Sequence, residues 1–411
     1  MKVWKLLIFS LLFQSLAWAG KQDVLEETLY YKYQEKILNH SAKAIQFAAI
    51  TPFEQSLYID ALWDLVEEDE PRAIELLSDV NVVNYDLAQK LRVAILQIQA
   101  KVKDGLSESL IDDLSNHLLL PEPDANIVYL IASYQQLLIN LGYDNLVGLA
   151  SQFPEFNNVD ATQVVRNSDE IARTAIDLFY HAPAVSEYQG GKYSGGIKLY
   201  MFCRPNRNYT CLFAMRDAND EIVRNEDGSI WTQKALAQSA RKLPYNIRNG
   251  ATPAGVWTID SVMPTADQTI SFGRFRRMII NFIPKSNNES RLKSLLPESS
   301  HDLNWWKPTI IARDMGRNLF RIHGTGKTNP DPQSTFYPFR QTSGCISQRE
   351  NVHDGFDWQD QRKILDRIMV AQGNKPVYAN ETKIKGIFYF IEIDGKNASV
   401  EPEDLYNLGI E

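Results

Sequence analysis

Two apolar stretches, IKLYMFC at 197–203 and YTCLFAM at 209–215, decide the fold class of the second half of the chain. The polar segment RPNRN, 204–208, separates them. Apolar runs of this length on either side of a polar turn that contains proline are typical of paired strands. The glycine-rich segment YQGGKYSGG, 188–196, precedes them and marks a joint, after which the hydrophobic period changes from helical to strand-like.

Further strand-like segments follow towards the C-terminus. They are GVWTIDSV at 255–262, RRMIINFI at 276–283, NLFRIHG at 318–324 and KGIFYFIEID at 385–394. Only WQDQRKILDRIMVAQ, 358–372, has the spacing of a long amphipathic helix. Many strands and few helices predict a mostly β domain over 188–400, with 401–411 as a C-terminal tail.

The preceding half, 20–187, has a helical pattern instead. SLYIDALWDLV, 56–66, and LAQKLRVAILQIQAKV, 87–102, repeat apolar residues at spacings of three and four. Three shorter segments that resemble one another begin at residues 73, 110 and 146. This spacing is compatible with helical-hairpin repeats, and an irregular bundle is the alternative. We therefore expect a multidomain α and β protein whose N-terminal all-α domain is an interaction or spacer module for a protein partner.

The first nineteen residues have the features of a signal peptide. Lys2 and Lys5 precede an apolar run at 6–13, and Ala17-Trp18-Ala19 has the small-x-small pattern of a cleavage site. The alternative is a membrane-anchoring helix. Cleavage would leave no membrane anchor, because no later stretch is long and apolar enough to span a bilayer. We expect an exported protein of the periplasm or cell wall, where cysteine pairs oxidise.

Charge divides the chain in the same way as the hydrophobic pattern. The 411 residues carry a net charge of −8, which argues against nucleic acid as the main partner. Residues 21–180 carry a net charge of about −15, and the remainder after them is mildly basic. The basic half is the one suited to an anionic polymer.

The chain has three cysteines, two of them close together. Cys203 and Cys211 lie on the two strands that the RPNRN turn would bring side by side. Neighbouring strands bring side chains within disulfide reach, so we expect a bridge, with two buried thiols as the alternative. A bridge would leave Cys345 as the odd cysteine, which in an exported protein is a liability or a nucleophile.

The surroundings of Cys345 favour a nucleophile. The segment QTSGCIS, 341–347, places it after a turn of small residues, which can expose the sulfur and free backbone N–H groups to face an oxyanion. The segment FRIHGTG, 320–326, places His323 at the end of a strand. A nearby histidine can take the proton of a thiol whose free pKa is near 8.5. The alternative is a buried Cys345 and a His323 satisfied by backbone groups.

The segments IHGTG and TSGC together resemble the signature of the YkuD-type L,D-transpeptidases, in which a histidine-glycine pair precedes an [S/T]-H-G-C segment. TPAGVWTI, 252–259, is similar to the TPxGxF segment that the family carries upstream. The resemblance covers about 196–350. It implies a β-rich domain whose cysteine attacks an L-centre of peptidoglycan stem peptides, usually diaminopimelate, and releases the terminal D-alanine. A second amine then takes the acyl group, and carbapenem-type inhibitors are expected to acylate the same cysteine.

Carried over by position, the resemblance assigns roles to the residues around the cysteine. Cys345 is the nucleophile and His323 the general base. Gly344 and Cys345 supply backbone amides for the oxyanion, and Thr342 orients its neighbours. Gly324 and Thr325, next to the histidine, are expected in the substrate-binding part of the site.

Two positions depart from the family pattern. Ser343 stands where the family usually has a second histidine, and Ser347 stands where it usually has asparagine or arginine. Arg340 or Arg349 could take over substrate binding, or either could be a solvated surface arginine. The departures leave two alternatives open: an L,D-carboxypeptidase that uses water as acceptor, and a non-catalytic wall-binding protein on the same fold.

Several other features have plain alternatives. Neither a metal nor a cofactor is expected, because His301 and His353 lack metal-ligand spacing. The pair Trp305 and Trp306 is either a sugar platform or packing, and GRFRR, 273–277, favours a solvated strand edge, with contact to an anionic polymer as the alternative. The insertion between YTCLFAM and TPAGVW is a candidate lid, and KTNPDPQSTFYPF, 327–339, is another.

Overall fold

The computed structural model describes residues 168–411 except for the short stretches 241–244, 247–248, 284–289 and 315–316. Earlier in the chain it describes residues 70–78, 80–99 and a few single positions. The expected signal peptide and most of the expected helical domain therefore lie outside the described residues. No helix within the described residues combines the length and the apolar character that crossing a bilayer requires.

The described residues contain helices and one large sheet. The helices are α1 (Glu70–Ser78), α2 (Leu87–Gln99), α3 (Ser168–His181), α4 (Thr269–Phe272), α5 (Ser290–Lys293), α6 (Lys307–Asp314), α7 (Asp360–Ala371) and α8 (Pro402–Asn407). The strands are β1 (Ile197–Cys203), β2 (Cys211–Arg216), β3 (Gln233–Ala235), β4 (Gly255–Val262), β5 (Met278–Phe282), β6 (Arg321–Thr325), β7 (Ile346–His353), β8 (Phe356–Gln359) and β9 (Lys385–Glu392). Short 3-10 turns lie at Val185–Gly191, Glu298–Ser300 and Tyr378–Lys383.

The nine strands form one mixed sheet in the order β3-β2-β1-β9-β4-β5-β6-β7-β8. Strands β1 and β9 are parallel, as are β6 and β7, and the other neighbours are antiparallel. The segments expected as strands all contribute to this sheet. Parallel pairs require crossover connections, so the molecule is a mixed α and β fold with helices on the sheet faces.

Strand β1 shows why both sheet faces are covered. All seven of its residues are buried. Leu199 and Met201 pack on one face against α7, whereas Tyr200 and Phe202 pack on the other face against α3. Residues that alternate in a strand point to opposite faces, so a nearly continuous apolar run needs a layer on each side.

The division of the chain into domains needs two corrections. Leu178 and Phe179 of α3 are fully buried in the same core as β1, so a boundary at 187/188 would cut through that core. The segment 401–411 is not a tail, because Leu405 and Ile410 are buried in that core as well. Buried apolar side chains of this size each contribute about 1.5–3 kcal/mol, which explains why both segments are held against the sheet.

The strand pair that opens the sheet is joined covalently. Cys203, at the end of β1, forms a disulfide with Cys211, at the start of β2, and their Cα atoms are 4.4 Å apart. Next to the bridge, the buried guanidinium of Arg204 pairs with Asp394 at 2.7 Å and with Asp404 of α8 at 3.0 Å. The turn between β1 and β2 is therefore tied to the C-terminal segment.

The tryptophan pair belongs to the core. Trp305 and Trp306 are 2% and 1% exposed, and their ring N–H groups donate to Ser300. They are therefore packing residues, and the sugar-platform alternative is excluded by their burial. GRFRR is not a solvated edge throughout either, because Arg276 is buried with its guanidinium 3.9 Å from the centre of the Tyr378 ring.

Candidate active site

The parallel strands β6 and β7 bring the candidate base and nucleophile to one cleft. Ile322 pairs with Ile346 and His323 with Ser347, and Cys345 directly precedes β7. Because Ile322 and Ile346 point into the core, the alternation of the strands turns His323 and Cys345 to the opposite face. Both line a cleft of about 490 Å³.

The cleft collects most of the residues that the sequence singled out. Its lining includes His323, Thr325, Arg340, Thr342, Ser343 and Cys345. Ile270, Ser271 and Phe272, which no motif indicated, complete it together with Asn249 and Lys327 from the two candidate lid segments. Ile270, Ser271 and Phe272 come from α4, so a short helix between β4 and β5 forms one wall.

His323 is held in a defined tautomer. The residue is 3% exposed, and its Nδ1 lies 2.6 Å from the carbonyl oxygen of Gly324. Because a carbonyl only accepts, Nδ1 carries the proton and the lone pair lies on Nε2. The Phe272 ring packs edge-on against the imidazole, with 5.6 Å between ring centres.

The electrostatics of the cleft keep His323 neutral. Burial lowers its pKa to about 4, the hydrogen bond to Gly324 opposes that shift, and the nearby cations Arg277 and Arg321 add to it. At neutral pH the imidazole is therefore a base that can accept a proton on Nε2.

Cys345 is a neutral thiol in this arrangement. Burial raises the pKa of the thiol, and Arg321, Arg277 and Arg317 oppose that shift. The Sγ lies 3.9 Å from the carbonyl oxygen of Leu319, to which the thiol donates. The pair is thus a thiol and an imidazole rather than an ion pair, so proton transfer must accompany attack.

The turn before the cysteine depends on glycine. Gly344 has φ +105°, and a Cβ built there would lie 2.4 Å from the carbonyl oxygen of Gly250. Thr252, the first residue of TPAGVWTI, donates its hydroxyl to the carbonyl of Gly344 at 2.7 Å. Thr342 donates its hydroxyl to the carbonyl of Cys345 at 2.6 Å. Two hydroxyl groups therefore hold the turn on either side of the sulfur.

Two backbone N–H groups of the same turn, those of Gly344 and Cys345, are candidate donors to an oxyanion. Within the described part of the chain, neither the Gly344 N–H nor the Cys345 N–H donates to another backbone carbonyl. Two backbone N–H groups beside a nucleophile can stabilise the charge that develops on an attacked carbonyl.

Residues 236–240, a part of the insertion between YTCLFAM and TPAGVW, support the cysteine turn. Leu236 and Ser347 exchange two backbone hydrogen bonds of 3.0 and 2.8 Å. The Ala240 N–H donates to the Thr342 carbonyl at 2.8 Å. The described residues 236–240 therefore extend the sheet beside the turn, and the expectation of a lid is wrong for this part of the insertion.

Arg317 is a residue of the site that sequence reasoning missed. Its guanidinium donates to the carbonyls of Gly250 at 2.7 Å and Ala251 at 2.8 Å, and it stacks over Phe320 at 4.4 Å. Gly250 is the residue that crowds Gly344, so Arg317 positions the backbone that shapes the turn. A single arginine between a helix and a strand carries no motif that would have revealed this role.

Only one of the two candidate substrate arginines lines the cleft that contains Cys345. Arg340 lines the cleft with Cys345. Arg349 does not, because its guanidinium pairs with Asp360 at 2.6 Å, stacks on Trp358 at 3.7 Å and lines a different cleft of about 750 Å³. Arg349 lies four residues beyond Cys345 along β7, and the ion pair with Asp360, the first residue of α7, holds its side chain away from the cleft.

Ser347 and the remaining histidines take structural places. Ser347 is 1% exposed, between β6 and the Leu236 backbone. His301 Nε2 lies 2.9 Å from the Lys293 carbonyl, and His353 contacts the Tyr337 hydroxyl. In the described residues, no group of three His, Cys, Asp or Glu side chains could hold a metal ion.

Comparison with known proteins adds no relative. No family model matches the chain, no curated protein matches it, and no solved structure matches it.

Proposed function

We propose that this chain is an exported L,D-transpeptidase, a cysteine acyltransferase that acts on peptidoglycan stem peptides. The observation that supports it most is the cleft between β6 and β7. There a neutral imidazole with its lone pair on Nε2 and a thiol line the same space. The resemblance of IHGTG, TSGC and TPAGVWTI to the YkuD-type family supplies the reaction and the substrate class.

In the proposed first step, the Cys345 thiol passes its proton to Nε2 of His323 while the sulfur attacks the carbonyl carbon of the L-centre. The carbonyl oxygen becomes an oxyanion that the N–H groups of Gly344 and Cys345 stabilise. His323 then returns the proton to the leaving amine of D-alanine, and a thioester remains on Cys345. A second amine attacks the thioester, which releases the product and restores the thiol.

The charges of the cleft suit an anionic donor strand. Arg277 and Arg321 lie close enough to act on both His323 and Cys345, and Arg340 lines the same cleft. Stem peptides carry carboxylates, which cations in a partly dehydrated cleft attract.

One observation favours the non-catalytic alternative. The thiol donates to Leu319, and burial raises its pKa, so the resting cysteine is not activated. A wall-binding protein could retain such a site without turnover. Catalysis requires that substrate binding redirect the thiol proton from Leu319 to His323.

Acylation by a carbapenem tests the nucleophile. We expect the mature protein to gain the mass of one inhibitor, and Cys345→Ala to abolish the gain, because no other free thiol is present in the described residues. Mass spectrometry reads the result, with the disulfide pair Cys203 and Cys211 left intact as internal control. A gain that survives Cys345→Ala would show that another residue is the nucleophile.

Products from defined muropeptides test the acceptor. A tetrapeptide-stem muropeptide is supplied with and without a second stem, and tripeptide monomers are counted against 3→3 cross-linked dimers. We expect dimers when an acceptor is present. Tripeptide alone at every acceptor concentration would identify a carboxypeptidase, and no product with reduced Cys345 would favour the wall-binding protein.

A further inference from the structure

Glu350 is a buried carboxyl group behind the candidate site. It lies on β7, five residues after Cys345, and is 2% exposed. Its Oε1 accepts hydrogen bonds from the backbone N–H groups of Arg274 at 3.0 Å and Phe275 at 3.1 Å. Its Oε2 is buried and has no hydrogen-bond partner in the described residues. A buried carboxyl that is only half satisfied is costly, so its presence calls for a role.

Two glycines make room for this carboxyl. A Cβ built at Gly273, where φ is +77°, or at Gly324 would lie 1.7 Å from Oε2. The carboxyl therefore fills a space that exists only because both positions lack a side chain. One wall of this space is the turn after α4, and the other wall is β6.

Each wall leads directly to His323. Gly324 supplies the carbonyl that accepts from His323 Nδ1. Gly273 follows Phe272, whose ring packs against the imidazole, and the Gly273 N–H donates to the Thr269 carbonyl to close α4. The Glu350 carboxyl thus contacts both backbone segments that hold the imidazole.

We propose that Glu350 is a positioning residue of the cleft, whose carboxyl ties the Gly273 turn to the Gly324 peptide and so sets Phe272 and His323 relative to each other. It does not reach the reacting atoms itself. That His323 acts as the base rests on the proposed function, whereas the positioning role concerns the geometry of the cleft.

The ionisation of Glu350 offers a direct readout. Burial raises the pKa of the carboxyl to about 7, the two backbone hydrogen bonds oppose this, and the charges of Arg274 and Asp357 act in opposite directions. Arg274 comes from the turn and pairs with Asp357 of β8, and the ionisable residues of β6 are Arg321 and His323. The carboxyl therefore changes charge within the pH range in which the folded protein is handled.

The reactivity of Cys345 reports the geometry without any substrate. It is the free cysteine of the described residues, so alkylation by iodoacetamide follows this thiol. Burial keeps the pKa of the thiol above its usual value, so its own inflection lies at higher pH. We expect the wild-type rate to show a second inflection near pH 7 and Glu350→Gln, which keeps an acceptor but carries no charge, to lack it.

Two further variants complete the test. Glu350→Ala removes the acceptor, and we expect its alkylation rate at pH 7 to change by about tenfold, as a displaced group in a site commonly does. Glu381→Gln neutralises a different buried carboxyl, 1% exposed and paired with Arg362, and should keep the inflection. Any of three results would overturn the positioning role. They are a wild-type profile without the inflection near pH 7, a Glu350→Gln profile that keeps it, and a Glu381→Gln profile that also loses it.

The readout remains valid when Glu350→Ala does not fold, because Glu350→Gln retains the hydrogen bonds of the turn. It is also independent of the proposed function. Wild-type protein that alkylates with the expected profile but forms no acyl-enzyme would refute the transpeptidase and leave the role of Glu350 intact. Acyl-enzyme formation together with an alkylation profile that shows only the inflection of the thiol would support the transpeptidase and refute the role of Glu350.

Discussion

Gly344 has a backbone conformation and surroundings that only glycine meets without strain. Its φ is +105°, and an added Cβ would lie 2.4 Å from the Gly250 carbonyl oxygen and 2.8 Å from Nη2 of Arg317. We predict that Gly344→Ala costs about 1–2 kcal/mol from the left-handed backbone alone. Displacing the Gly250 backbone adds about 1–3 kcal/mol. Urea unfolding measures the total loss.

Gly355 is the matched control for this prediction. It has φ +78° in the turn between β7 and β8, and a Cβ there would meet nothing within 4 Å. Gly355→Ala should therefore show the backbone cost without the collision, and it should leave Cys345 reactivity unchanged. Equal losses of stability in the two variants would mean that the cysteine turn relaxes freely around a methyl group.

The depressed pKa of His323 predicts a pH-dependent loss of stability. An unfolded chain binds a proton at this histidine below about pH 6.5, whereas burial delays binding in the folded protein to about pH 4. The unfolded state thus holds more protons between these values, so the contribution is complete above pH 6.5 and is lost as pH falls towards 4. At about 1.4 kcal/mol per pH unit, the loss reaches at most about 3.5 kcal/mol.

His323→Asn isolates this contribution. We expect the free energy of unfolding of wild type to fall more steeply between pH 6.5 and 4 than that of the variant, measured by urea titration at each pH. His181, which is exposed and pairs with Asp177, provides a control substitution to Asn. Parallel curves for wild type and His323→Asn would show that the pKa of the imidazole in the folded protein is not below its value in the unfolded chain.

Among single residues, the sequence predicts the candidate nucleophile and base better than the residues that hold the backbone around them. Cys345 and His323 stand in short motifs, and both line the cleft. Arg317 and Glu350 act through backbone groups of residues distant in sequence, Gly250 for one and Arg274 for the other. Hydrogen bonds to backbone require no particular partner residue, so they leave no pattern in a single sequence.

Among the elements, the strand pair β1 and β2 could be predicted because its pattern is local. The pair is antiparallel around one turn, and the structure joins Cys203 with Cys211. The role of the long insertion could not be predicted in this way. Leu236 pairs with Ser347, more than a hundred residues later, and such a bridge depends on register rather than on composition.

The disulfide should contribute to stability and not to reactivity. We predict that the double variant Cys203→Ser, Cys211→Ser loses up to about 2–3 kcal/mol, the range for closing a short loop. The bridge lies in the core face of β1 and β2, whereas Cys345 lies before β7. Iodoacetamide alkylation of Cys345 should therefore change by less than about twofold, as expected for separated sites.

Single substitutions provide the comparison for the double variant. Cys203→Ser alone leaves an unpaired and buried Cys211 thiol. Alkylation of the unfolded chain should therefore count two thiols, while the loss of stability should match that of the double variant. A double variant as stable as wild type would contradict a stabilising bridge. A large fall in Cys345 reactivity would instead place the bridge within the supporting structure of the site.

In the molecule as a whole, segments far apart in sequence close one core. The glycine-rich stretch at 188–196 resembles a linker, yet Tyr188 and Tyr193 are buried with their ring centres 5.6 Å apart. A Cβ at Gly196 would lie 2.7 Å from the Tyr193 carbonyl and 3.0 Å from Cα of Gly386 in β9. Gly196 therefore serves close packing, whereas Gly190, Gly191 and Gly195 have positive φ values of +64°, +87° and +73°. Composition alone does not distinguish these roles from a flexible linker.

Truncation tests where the folded unit begins. A chain of residues 166–411 keeps α3, whereas a chain of 188–411 lacks Leu178 and Phe179, both fully buried against the sheet. The shorter chain also lacks the Ala182 carbonyl, which accepts a hydrogen bond from the buried ammonium of Lys198. It lacks Tyr180 as well, whose hydroxyl contacts the backbone of Glu411. Each large apolar side chain contributes about 1.5–3 kcal/mol, and a whole domain is stable by only about 5–15 kcal/mol.

We therefore predict that the chain of residues 166–411 unfolds cooperatively in urea. The chain of residues 188–411 should not unfold cooperatively and should bind a hydrophobic dye instead. Ala175→Gly in the longer chain should lower its midpoint without abolishing cooperativity, which separates weakened packing from loss of the element. Cooperative unfolding of 188–411 with Cys345 reactivity intact would show that the sheet holds its core without α3 and would restore the boundary at 187/188.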